Sequence, residues 1–119
     1  MKIFLICPVR NQTGEQGQKI RSYIEEQRSL GHEVYYPFED TEQNDPLLGF
    51  GIITQNTRAI RNADEVHIWW DKTSKGSLFD LGAAFALHKP LVIANIEDVE
   101  PTTFKSFENV ICEWSFQDW

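Results

Sequence analysis

The stretch that decides the fold is Ala63-Asp64-Glu65-Val66-His67-Ile68-Trp69-Trp70, then Ser74-Lys75-Gly76-Ser77 and Asp80, closed by Leu91-Val92-Ile93-Ala94-Asn95. Two apolar runs of strand length, residues 65–70 and 91–95, flank a Gly/Ser loop and a helical segment over residues 79–88. A strand that feeds such a loop and then a helix aims backbone N–H groups and the positive end of the helix dipole at one spot, which suits an anionic ligand. Asp80, at the mouth of the helix, is predicted to face that spot.

Outward from this unit the pattern repeats. Residues 3–7, Ile-Phe-Leu-Ile-Cys, form a continuous apolar run ended by Pro8, as in a strand buried on both faces. From Gln18 the positions Ile20, Tyr23, Ile24 and Leu30 keep a helical period, with Gly31 where a terminating glycine belongs. Residues 33–36 read as a second strand, residues 38–49 as a polar loop of the kind that covers a site, and Ile52, Ile53, Asn56, Ala59, Ile60 and Ala63 as the inner side of a helix. Residues 109–112 offer a fifth strand. Alternating strands and helices imply a three-layer α/β sandwich, flavodoxin-like or Rossmann-like, with a parallel sheet of about five strands and helices on both faces. Ligands then bind beyond the carboxyl ends of the strands, in the loops after Cys7, Trp70 and Asn95, which makes Arg10 a neighbour of the segment from Ser74 to Asp80.

At 119 residues the chain fits one domain, residues 1–119. A content of 41% hydrophobic and 24% charged residues is that of a globular protein, and no apolar run approaches membrane-spanning length, so no membrane partner is expected. Cys7 and Cys112 lie far apart without metal-ligand spacing and read as buried free thiols, with a cytoplasmic location as the default. A net charge of −7 argues against tracking a nucleic-acid backbone, although local N–H groups and a side chain such as Arg10 still admit a small anion. There is no phosphate-loop lysine signature, no G-x-G-x-x-G and no metal-binding cluster, so neither cofactor nor metal is expected. His32, His67 and His88 are isolated and read as structural or solvent-facing.

Taken singly, Asp80 is also an acid favoured near a helix N-terminus, and Ser74 and Gly76 are also ordinary turn residues. Together they carry a resemblance. Ile60-Arg61-Asn62-Ala63-Asp64, the apolar strand, Ser74-x-Gly76-Ser77-x-x-Asp80-Leu81-Gly82-x-Ala84-x-Ala86-Leu87 and Lys89-Pro90 resemble the nucleoside 2-deoxyribosyltransferase-like family, which includes the deoxynucleoside 5′-monophosphate N-glycosidases. The resemblance implies cleavage or transfer at the N-glycosidic bond of a small nucleoside or nucleotide, through a carboxylate that attacks the anomeric carbon. It implies Asp80 as nucleophile, in the place of the family's usual Glu. Asn56 falls where members keep an Asp that handles the departing base, and Phe4 where many carry a Tyr that orients the nucleophile. Arg10, Ser74 and Gly76 match positions that hold a 5′-phosphate, with Ser77 beside them as a further substrate contact. It also implies a homodimer or larger homo-oligomer, and the aromatic segment Phe104, Phe107, Trp114, Phe116 and Trp119 is expected to serve that interface or to cap the sheet edge within one chain.

Three residues depart from the active pattern. Asp80 is a methylene shorter than Glu, Asn56 has no proton to give, and Phe4 lacks a hydroxyl. Two classes of function therefore compete: an N-glycosidase or deoxyribosyltransferase, and a catalytically silent nucleotide-binding or sensing domain on the same scaffold. Phe4, Phe38, Phe50, Trp69, Trp70 and Phe79 are the rings available for a base pocket, with core packing the competing role for each.

Overall fold

A computed structural model describes residues 1–8 and 14–118. The elements are β1 (Lys2–Ile6), α1 (Gly14–Ser29), β2 (Glu33–Tyr35), a single turn α2 (Pro37–Asp40), α3 (Phe50–Asn62), β3 (Glu65–Ile68), α4 (Lys75–Ala86), β4 (Leu91–Ile93), a 3-10 turn at Ile96–Asp98, and α5 (Phe107–Ser115). The strands lie in the order β2-β1-β3-β4, and every neighbouring pair is parallel. This is the expected α/β architecture with four strands rather than about five.

The missing strand is a helix. Residues 109–112 lie inside α5, because a run with only three apolar residues, Val110 to Cys112, fits either element and the flanks decide. Ser106 caps the helix, its Oγ accepting from the backbone N–H of Asn109, and Ile111 and Trp114, three apart, form the buried face. Trp114 packs edge-on against Phe85 of α4, and its indole N–H donates to the Lys89 carbonyl at 2.9 Å. One ring of the aromatic tail thus serves the core, while Phe104, Phe107 and Phe116 stay exposed. Trp119 lies outside the described residues.

Side chains alternate across the sheet. Ile3, Leu5 and Cys7 point to the side covered by Ile20 and Ile24 of α1. Phe4 and Ile6 point to the side covered by Ile60 of α3, Leu81 and Ala84 of α4, and Ile111 and Trp114 of α5. Burial on both faces is why β1 reads as an unbroken apolar run. Trp69 and Trp70 divide in the same way, one to each core. His67, buried on the α1 side, has both ring nitrogens engaged, Nδ1 with the Tyr23 hydroxyl at 2.5 Å and Nε2 with Glu65 at 2.6 Å. Burial holds this imidazole below its ordinary pKa against the pull of Glu65.

Two details position the loops. Asn95, almost fully buried, accepts from the Trp70 N–H at 2.7 Å and donates to the Trp70 carbonyl at 2.9 Å, tying the exit of β3 to the exit of β4. α4 begins at Lys75 rather than near 79, because the Ser74 side chain caps it by accepting from the Ser77 N–H. Asp80 therefore sits in the second turn of the helix and not at its mouth. Among the described residues, no helix is long and apolar enough to cross a membrane, and no cluster of His, Cys, Asp or Glu is placed to hold a metal.

Candidate active site

The strand order reverses direction between β1 and β3, and open α/β sheets bind ligands beyond the carboxyl ends of strands at such a point. A cavity of about 500 Å³ lies there. Cys7 and Pro8 at the end of β1 line it, with Asp71, Thr73 and the first turn of α4. Pro37, Gln43 and, around the start of α3, Gly49, Ile52, Ile53 and Asn56 line it as well, together with Asp80 of α4.

Asp80 is 7% exposed. Its Oδ2 accepts from the Asn56 amide at 3.3 Å, while its Oδ1 is buried without a hydrogen-bond partner. Desolvation raises its pKa to about 7, against the opposing effect of the Asn56 hydrogen bond. Such a carboxylate exchanges protons near neutrality and keeps one oxygen uncommitted. Asp71 is its opposite: Thr73 donates to it from both hydroxyl and backbone N–H, and these bonds outweigh desolvation and hold it below the ordinary carboxylate range. One cavity thus holds two carboxyl groups pushed apart in acidity by their surroundings.

Asn56 is fixed from behind. Its carbonyl oxygen accepts from the Thr41 hydroxyl at 2.7 Å, and Thr41 Oγ1 in turn lies 2.7 Å from the Tyr35 hydroxyl. The loop before α3 is pinned by Asp45, which accepts from the backbone N–H groups of Leu47, Gly49 and Ile52 at 2.8 to 3.0 Å. Desolvation pushes the Asp45 pKa up, but these donors outweigh it and the group titrates below its usual value. Gly49, at the N-cap of α3, has φ 118°, a conformation that favours glycine, and a Cβ on Gly51 would stand 2.6 Å from Asp45 Oδ1.

The sequence matches the family Nucleoside 2-deoxyribosyltransferase over residues 3–111. The chain belongs to this family. Among solved structures, a 2-deoxyribosyltransferase from the psychrotolerant bacterium Bacillus psychrosaccharolyticus is similar over 100% of this chain and 93% of its own, with a TM-score of 0.65 at 21% identity. The CMP N-glycosidase BcmB of Clostridium botulinum is similar over 78% of this chain and 67% of its own, with a TM-score of 0.50 at 18% identity. At these identities the likeness is one of fold. No protein of curated function matches the sequence significantly.

In this nucleoside 2-deoxyribosyltransferase-family fold, the expected site residues separate. Asp80, Asn56, Ser74, Gly76 and Ser77 all border the cavity. Ser74 and Ser77 face each other with hydroxyls 2.8 Å apart, and a Cβ on Gly76 would meet open space. Phe4 is fully buried, stacked on Tyr35 at 5.4 Å, and does not border the cavity. Arg10 lies outside the described residues. Of the rings named for a base pocket, none borders the cavity: Trp69 and Trp70 are core, and Phe38, Phe50 and Phe79 point largely to solvent. Sequence reasoning missed Cys7, Asp71 and Lys75, which the rule on strand ends was sufficient to flag, and Thr41, whose place depends on the α2 turn.

Proposed function

We propose that this protein is an enzyme that cleaves, or transfers at, the N-glycosidic bond of a small nucleoside or nucleoside 5′-monophosphate, with Asp80 as the nucleophile. One observation carries the reading: a buried carboxylate bordering the cavity whose Oδ1 has no hydrogen-bond partner among the described residues. In the forward step a carboxylate oxygen of Asp80 bonds to the anomeric carbon, and the C–N bond breaks with its electron pair leaving on the base, which takes up a proton from solvent. Water or a second base then attacks the same carbon and releases Asp80. Asn56, an amide, holds the carboxylate and gives no proton. Ser74, Gly76 and Ser77 at the start of α4, with Arg10, contact the sugar-phosphate end. The step as written balances without a cofactor or metal.

The test is incubation with a panel of nucleosides and 5′-monophosphates, followed by chromatography for free base. Release that rises with pH through about 7 and disappears in Asp80→Ala supports the reading. The alternative is a silent nucleotide-binding domain, favoured by Phe4, which supplies no hydroxyl and remains wholly in the core. Binding of a panel member without release of base from any of them establishes that alternative.

We further propose that residues 1–119 act as a single cytoplasmic domain in a homodimer or larger homo-oligomer. The exposed rings of Phe104, Phe107 and Phe116 support an interface in the C-terminal segment. Light scattering at micromolar concentration checks the assembly, and a monomer mass refutes it.

A further inference from the structure

Four side chains from four parts of the chain form one continuous hydrogen-bond chain: Tyr35 at the end of β2, Thr41 after α2, Asn56 in α3 and Asp80 in α4. Its direction follows from counting protons. The Tyr35 hydroxyl lies 2.7 Å from Thr41 Oγ1 and 3.2 Å from the Asp40 carbonyl, and because Thr41 gives its one proton to Asn56, Tyr35 is the donor of the shorter contact. The Thr41 proton meets Asn56 Oδ1, at 2.7 Å. With that end of the amide engaged, the N–H end turns to Asp80.

We propose that Thr41 is a positioning residue for Asp80: its hydroxyl fixes which end of the Asn56 amide faces the carboxylate, so that an N–H donor and not a carbonyl oxygen meets it. An amide reads the same from outside with either end forward, and a carbonyl turned toward Asp80 would oppose ionisation. Thr41 is 3% exposed, so solvent has little access to the side of the Asn56 amide that faces it. Tyr35 acts one step further back, its ring held by stacking on Phe4. The role rests on the reading of Asp80 as the reacting carboxylate, but the orientation itself does not. The other titratable groups that share the cavity are Cys7 at the end of β1 and Asp71 and Lys75 between β3 and α4. The thiol of Cys7, pushed up to about 12 chiefly by burial and further by Asp80, stays neutral throughout the range of interest.

The test follows the Asp80 side-chain carboxyl by ¹³C NMR as pH is varied, with Asp80→Asn identifying its resonance. Thr41→Val keeps the side-chain shape and removes the proton. Its Asp80 midpoint is expected about one pH unit above wild type, the equivalent of one hydrogen bond to a charged group, and Thr41→Ser is expected to restore it. The pH profile of base release should move with the midpoint. An unchanged or lowered midpoint in folded Thr41→Val overturns the proposal. If Thr41→Val does not fold, Tyr35→Phe decides: a smaller upward move supports the chain, and no move refutes it. A midpoint that rises as expected in a protein that releases no base from any substrate removes the glycosidase reading and leaves the positioning role in place.

Discussion

Asn56 meets only one oxygen of the Asp80 carboxylate, Nδ2 to Oδ2 at 3.3 Å, and leaves Oδ1 buried and unpartnered. A single long bond does not offset the loss of hydration, so the carboxyl holds its proton to about pH 7 in the folded protein, against 3.8 for an ordinary aspartate. Between those values the folded state binds more protons than the unfolded chain, and stability falls as pH rises through that window. Asp80→Asn carries no such penalty. It should match wild type near pH 4 and exceed it by up to about 4 kcal/mol near pH 8, measured by urea unfolding. A gain that does not depend on pH would show that ionisation of Asp80 is not its source.

Of the N–H groups that the first turn of α4 cannot satisfy within the helix, that of Ser77 is taken by the Ser74 cap and those before it lie beside Ser74, Lys75 and the open space over Gly76. If this turn holds a 5′-phosphate, a nucleoside monophosphate should raise the melting temperature more than its nucleoside at equal concentration, because binding to the native state alone stabilises it. Equal shifts in thermal scanning would remove the phosphate from that turn.

Gly51→Ala should act on the site through Asp45. The added Cβ falls 2.6 Å from Asp45 Oδ1, and the carboxylate cannot swing away without releasing the N–H groups of Leu47, Gly49 and Ile52. A loss of about 1–2 kcal/mol is expected, as for the removal of a helix cap, with a raised KM because Gly49, Ile52 and Ile53 line the cavity. Asp45→Ala should cost a similar amount, and the double variant little more than either alone. Additive losses would separate the two residues.

Asn95→Ala strips the buried N–H and C=O of Trp70 of their partner at once. The cost expected from chemical denaturation is about 2–4 kcal/mol, the penalty for leaving such groups unpaired. A cost under about 1 kcal/mol would mean that water reaches the exit of β3.

Most of the fold was legible because its signals are local. The four strands are short apolar runs bounded by turn residues, and β1 announced its central place by being apolar on both faces. What misled at residues 109–112 was brevity, since the three apolar residues Val110, Ile111 and Cys112 satisfy either period. The helical spacing of Ile111 and Trp114 and the cap at Ser106 were the signals that separate the two. The site divided along the same line. Asp80, Ser74, Gly76 and Ser77 fall on one βα segment, and Asn56 was reached through the family pattern. Thr41 gave no sign, because its partners, at positions 35 and 56, are brought to it only by the turn of α2 and the packing of α3.

The order of strands in the sheet sets an order in time. β1 is the first strand of the chain, yet it lies between β2 and β3, and its pairing with β3 joins Phe4 to Val66 and Ile6 to Ile68. A ribosome delivering this chain must complete some sixty further residues before the inner seam of the sheet has both its edges, and until then only β2 and α1 are available to β1, whose other face has no cover. The cavity lies at the end of that same seam, so it forms no earlier than the central strand pairing, and α4 must follow before Asp80 is in place.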